Sequence, residues 1–153
     1  MKRITLIGAL IIGAIAVIAL VAALNMGEKS PIYAAGKIEV APEFKEDAQA
    51  FETLFVIVFD PDSPMPMPMG AMKERLNGGF KDGFSFALTK EKMLRMAMAG
   101  GDDSQHPKYL RIKARLDKDG LAGPDQPGDL VGIVENVPFG SDQVIVKIEK
   151  KIQ

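Results

Sequence analysis

The chain has 153 residues, 47% of them hydrophobic, with 19 basic and 20 acidic side chains and a formal charge of −1. That length holds one domain plus a small extra segment, and a near-neutral charge without clustered basic residues argues against a nucleic-acid surface. There is no cysteine and one histidine, which excludes a lipoprotein anchor, thiol–disulfide exchange, covalent c-type haem attachment, thiolate metal sites and a His-rich metal centre.

Residues 4–24 form an uncharged apolar run directly after Met1-Lys2-Arg3. As a helix the run reaches about 31 Å, enough to cross a hydrocarbon core. A cleaved signal peptide has a shorter apolar region, about 7 to 15 residues, closed by a small-x-small site. Val21-Ala22-Ala23 lies inside the run and Ile32-Tyr33-Ala34 is a poor site, so the run reads as an uncleaved single transmembrane helix. Lys2 and Arg3 favour a cytoplasmic N-terminus and place the remainder outside. The resulting division is an anchor over residues 1–24, a linker over 25–36 and a folded domain over 37–153.

Within that domain, Lys37-Ile38-Glu39-Val40 alternates as a first short strand, and Pro42 opens one or two helical turns reaching Ala50. Thr53-Leu54-Phe55-Val56-Ile57-Val58-Phe59 is β-branched or aromatic at nearly every position, predicting a strand buried on both faces. Pro64, Pro66 and Pro68 then hold the chain extended, and residues 69–76 pair again as a strand. Asn77-Gly78-Gly79 is the strongest hairpin signal, leading into a half-buried strand through Phe84-Ser85-Phe86-Ala87-Leu88.

Thr89 as N-cap, Glu91 in the first turn and Gly100-Gly101 as the stop predict a short helix over 90–99. Leu110, Ile112, Ala114 and Leu116 alternate with Arg111, Lys113 and Arg115 in a strand over 109–117. A Pro/Gly loop over 123–129, a strand over 130–137, a turn over 138–142 and a closing strand over 144–152 complete the chain. Six or seven short strands at regular spacing predict a mainly β, antiparallel sandwich or barrel with one or two short helices.

Among candidate sites, the methionines stand first: Met65, Met67, Met69 and Met72, then Met93, Met96 and Met98. Thioethers suit Cu(I), which makes a Met-based periplasmic copper-binding protein one reading. Methionine is equally a core filler or an adaptable binding surface, and alternate residues of a threefold polyproline helix do not share a face. His106, beside Asp102 and Asp103, is a possible metal or haem contact, although a lone loop histidine is ordinarily solvated. Asp117-x-Asp119-Gly120 and Asp125 resemble a calcium loop, but the register fails the EF-hand pattern and turn residues explain them. No Ser/His/Asp set follows from the spacing.

Three pieces together resemble the C-terminal periplasmic domain of CcmI/CycH-type cytochrome c biogenesis proteins. These are Lys37-Ile38-Glu39-Val40-Ala41-Pro42 leading into Thr53-Leu54-Phe55-Val56; Pro64-Met65-Pro66-Met67 followed by Arg75-Leu76; and Tyr109-Leu110-Arg111-Ile112-Lys113-Ala114-Arg115-Leu116 followed by Gln126-Pro127-Gly128-Asp129-Leu130. Their order and spacing match that domain over roughly residues 36 to 152, and the Gln-Pro-Gly-Asp-Leu segment is the most specific. The resemblance implies a cupredoxin-like, Greek-key β-sandwich without a blue-copper site, since the second His and the Cys are missing.

In function it implies a non-enzymatic accessory or chaperone protein of the cytoplasmic membrane, single-pass, with its domain in the periplasm. Its partners would be apocytochrome c or the cytochrome c maturation machinery, and no cofactor is implied. The chain is too short for the family's second membrane span and its helical repeats, which shifts the expectation toward a scaffold within a membrane complex. Met65, Met67, Met69, Met93 and Met96 are the expected partner-binding residues, if they are exposed.

Overall fold

The computed structural model describes residues 31–64, 67–95 and 106–153. The expected anchor, the first half of the linker, and Met65, Met96 and Met98 lie outside the described residues. Pro31–Gln153 forms one compact unit. Its strands are β1 (Ile32–Val40), β2 (Thr53–Phe59), β3 (Pro68–Arg75), β4 (Phe84–Thr89), β5 (Leu94–Arg95), β6 (Tyr109–Asp117), β7 (Leu130–Pro138), β8 (Ser141–Ile148) and β9 (Lys150–Lys151). A 3-10 turn at Pro42–Phe44 runs into a short helix, α1 (Lys45–Ala48), started by Pro42 at a position where its missing N–H costs nothing.

The strands form a six-stranded sheet in the order β5-β3-β2-β6-β7-β9 and a three-stranded sheet in the order β4-β1-β8. β2 pairs with β3 on one edge and β6 on the other, both antiparallel. Alternation sends Leu54, Val56 and Val58 inward, where each is fully buried, and Phe55 to the opposite face, where it is buried too. Inward residues of both sheets, among them Ile38, Leu88, Leu110, Ile112, Leu116, Val146 and Ile148, meet in one hydrophobic cluster. Each such side chain contributes roughly 1.5–3 kcal/mol by burial.

Four expectations need correction. β1 begins at Ile32, inside the expected linker, because Tyr33 and Ala34 are buried in the core. The Asn77-Gly78-Gly79 turn forms, with positive φ at both glycines, but it does not join a hairpin. β4 pairs with β1 in the other sheet. The loop is drawn across by burial of Leu76 and Phe80 and by hydrogen bonds that Gly83 N donates to the Ile38 carbonyl and Val40 N donates to Asp82 Oδ1.

The expected helix over 90–99 is absent over its described part. Thr89 does cap a turn, accepting from Lys92 N through its carbonyl at 3.2 Å and its Oγ1 at 3.4 Å. The turn then ends with Met93 in the core, and β5 pairs with Gly70 and Ala71 at the edge of β3. Extended pairing there supplies the backbone partners that further helical turns would have supplied.

Finally, the pairing is not wholly antiparallel: β1 and β8 run parallel. The two-residue turn Phe139-Gly140 sends β8 away from β7 and onto β1, while β9 returns to pair with Leu130 and Val131. The expected closing strand is therefore divided between two sheets. Where β7 and β8 cross, a Cβ on Gly132 would overlap the Lys147 carbonyl, so this position admits glycine alone. Gly132→Ala is expected to cost about 2 kcal/mol or more by overpacking. Gly123→Ala, in open space, should stay within about 0.5 kcal/mol. Equal melting temperatures for the two variants would contradict the close crossing.

Candidate functional site

The strand registers assign every loop to one of two ends. Ile32 pairs with Thr89, Ala34 with Ser141, Tyr109 with Pro138, and Phe59 with both Arg111 and Pro68. The start of β1, where the chain enters from residue 30, thus shares an end with residues 60–64 and 67, the turn after β4, residues 106–109 and the turn between β7 and β8. The loop over 118–129 lies at the other end.

The entry end is apolar and aromatic. His106 stacks on Phe139 at 4.5 Å and 12° between planes, and Tyr33 meets both rings edge-on at 5.5 and 5.1 Å. Backbone bonds pin these pieces together: Phe139 N donates to the Lys108 carbonyl and Gly140 N to the Tyr33 carbonyl. Ile32 (47% exposed), Met67 (38%) and Tyr109 (37%) stand open to solvent there. Exposed apolar side chains at the same end as this aromatic cluster make a surface suited to binding.

The expected methionine strip is divided. Met67 is exposed, Met69 is half-buried against the core, and Met93 is 6% exposed within the core, as is Met72 at 3%. Met93 is therefore corrected from a surface contact to a packing residue, because the turn at Thr89 folds it inward. Met65 and Met96 lie outside the described residues. His106 has aromatic neighbours, while Asp102 and Asp103 lie outside the described residues. Among the described residues no three His, Asp or Glu side chains are grouped to hold a metal ion. The Tyr33–His106–Phe139 cluster was not foreseen, since its members are far apart in sequence and no local spacing signals it.

The opposite end is locked by charge. Arg115 is 1% exposed, on the outer face of β6 with its guanidinium 4.9 Å from the Phe55 ring centroid. It donates to the carbonyls of Gly123 (2.7 Å) and Leu121 (3.2 Å) and pairs with Asp117 (2.9 Å) and Asp125 (3.4 Å), with Asp129 at 3.9 Å. Lys113 pairs with Asp125 at 2.5 Å. Asp129, fully buried, accepts from Gln126 N and Lys118 N, and Gly128 N donates to the Ile152 carbonyl. The Gln126-Pro127-Gly128-Asp129-Leu130 segment is thus a structural clamp on the C-terminal strand. The acids Asp117, Asp119 and Asp125 act as turn and ion-pair residues.

Burial pushes the Asp117 carboxyl above the ordinary carboxylate range, against the pull of Gly120 N and Arg115. Burial also opposes ionisation of Asp125, but the Lys113 ammonium, aided by Arg115, outweighs it and holds Asp125 below that range. A depressed carboxyl stabilises the fold above its unfolded pKa, about 4, and that stability is lost as pH falls through the folded value. Asp125→Asn should therefore lower the melting temperature at neutral pH, and the difference from the native chain should close below about pH 4. A gap that persists in acid would contradict the ion-pair account. Arg115→Met should cost roughly 3–5 kcal/mol, since it strands buried carboxylates. Met93→Ser should cost roughly 2 kcal/mol or more while Met67→Ser leaves the melting temperature nearly unchanged. Thermal unfolding of these variants checks both assignments.

Comparison with protein-family models, with curated proteins and with solved structures finds no match for this chain.

Proposed function

We propose that this chain is a non-enzymatic accessory protein of the cytoplasmic membrane, anchored by residues 4–24, whose periplasmic domain assists maturation of c-type cytochromes by holding a protein partner. In this reading the two sheets are the halves of a cupredoxin-like sandwich. The resemblance to the CcmI/CycH-type domain supplies the process. What supports a binding role at a particular place is that Met67, at the end of the Pro-Met stretch, stands exposed at the end where the chain enters the domain.

The chemistry suits an apolar partner segment. Prolines pre-order the backbone, so docking costs less conformational entropy. An unbranched thioether adapts to varied apolar shapes. Met67 with Tyr109 and Ile32 forms the contact; Met69 backs it from the half-buried layer, and Met93 takes part only through packing.

Deleting the gene should lower the amount of haem-bearing c-type cytochrome, and a full-length chain carrying Met67→Ser should fold normally yet fail to restore it or to retain haem-ligation components in pull-downs. Normal cytochrome levels in the deletion strain would overturn the reading. So would tight Cu(I) binding that disappears on Met67→Leu, which would indicate a copper-binding protein.

A further inference from the structure

Of the six large apolar side chains most open to solvent among the described residues, three lie at the entry end: Ile32, Met67 and Tyr109. Leu121 lies at the opposite end. Ile133 and Ile145 sit mid-strand, paired with Lys113 and Lys37. The entry end also has the composition of a bilayer interface. Tyr109 presents an amphipathic ring with the Lys108 ammonium 5.5 Å from its centroid, beside the Tyr33–His106–Phe139 cluster. Tyrosine rings settle at headgroup level, and a lysine stem lies along apolar surface while its charge stays in water.

The chain outside the folded unit says what covers this end. Pro31 begins the unit, and the apolar run stops at Leu24. Seven residue steps separate them, so the link reaches at most about 24 Å. A nine-residue strand is itself about 30 Å long, so a tether this short favours the near end over the far one. Among the described residues the charges on the loops there are mixed: Asp60, Asp62, Glu91 and Asp142 alongside Lys90, Lys92 and Lys108, with Arg111 and Glu135 offsetting each other at 2.6 Å. Attraction to anionic headgroups therefore has no net positive surface behind it, and the apolar side chains have to supply the affinity.

We infer that the entry end of the domain rests on the lipid surface, with Ile32 and Tyr109 in the interfacial layer of the bilayer. The inference rests on the reading of residues 4–24 as a membrane anchor. It deepens the proposed function, because Met67 is then held at headgroup level and the partner segment is met at the membrane surface. Contact is with neutral phospholipid and is insensitive to salt.

The absence of cysteine in the sequence permits single-site labelling. The full chain, reconstituted in phosphatidylcholine vesicles, is labelled with an environment-sensitive fluorophore at Lys108→Cys, at Gly123→Cys on the opposite end, or at Ala16→Cys within the apolar run. Quenching by headgroup spin-labelled lipid should be several-fold stronger at position 108 than at position 123, unchanged in high salt, and reduced toward the position-123 level by Ile32→Ser/Tyr109→Ser. Equal quenching at 108 and 123 overturns the inference, as does quenching at 108 that requires anionic lipid or vanishes in salt. The label at position 16 tests the anchor separately. Quenching there by deep-chain spin labels, with none at 108, leaves the anchor standing and removes the surface contact. A label at 16 that remains in water removes the anchor.

Discussion

The fold depends on a strand that is paired on both edges and buried on both faces. β2 satisfies its backbone through β3 and β6, and its inner side chains join the common core. Its outer face is the harder problem, because Phe55 needs a cover that the small sheet cannot provide. Lys73 and Arg115, in register on either side of Phe55, close over the ring. A guanidinium buried in this way is tolerable only where carboxylates and carbonyls satisfy it. The carbonyls of Leu121 and Gly123 and the Asp125 carboxylate accept from it and Asp117 pairs with it by charge, leaving Nε alone without a hydrogen bond, so the 118–129 loop has to fold back across the sheet. The same loop then holds the C-terminal strand through Gly128 and Asp129.

The two ends of the domain are consequently unlike. One is stitched by ion pairs and backbone bonds. The other is joined by ring contacts and by the backbone hydrogen bonds of Phe139 N and Gly140 N, and it leaves Ile32, Met67 and Tyr109 exposed. Among the described residues the charge-locked end exposes one large apolar side chain, Leu121, while the entry end exposes three. That asymmetry directs the functional reading toward the entry end and away from the acids of the 117–129 segment.

Strands whose pattern is local were legible in the sequence. Thr53–Phe59 and Tyr109–Asp117 form over the residues that β-branching and alternation indicate. What local pattern does not carry is the partner. Asn77-Gly78 marks a turn but not which sheet receives the next strand, and Thr89 caps a turn that the burial of Met93 cuts short. The parallel β1–β8 pair joins strands about a hundred positions apart, beyond the reach of any spacing rule. The site was legible to the same degree. Methionine spacing identified a stretch worth inspecting, but tertiary packing alone separates exposed Met67 from buried Met93. The aromatic cluster at the entry end is assembled wholly by long-range pairing.

The central claim is that the entry end carries the partner contact. Photocrosslinking in intact cells tests it most directly, with a photoreactive amino acid placed at Met67 in the full-length chain and, in a separate strain, at Ile145 on the outer face of the small sheet. The account predicts adducts with apocytochrome c or haem-ligation components from position 67 and none from position 145. Adducts from position 145 with none from position 67 would contradict it.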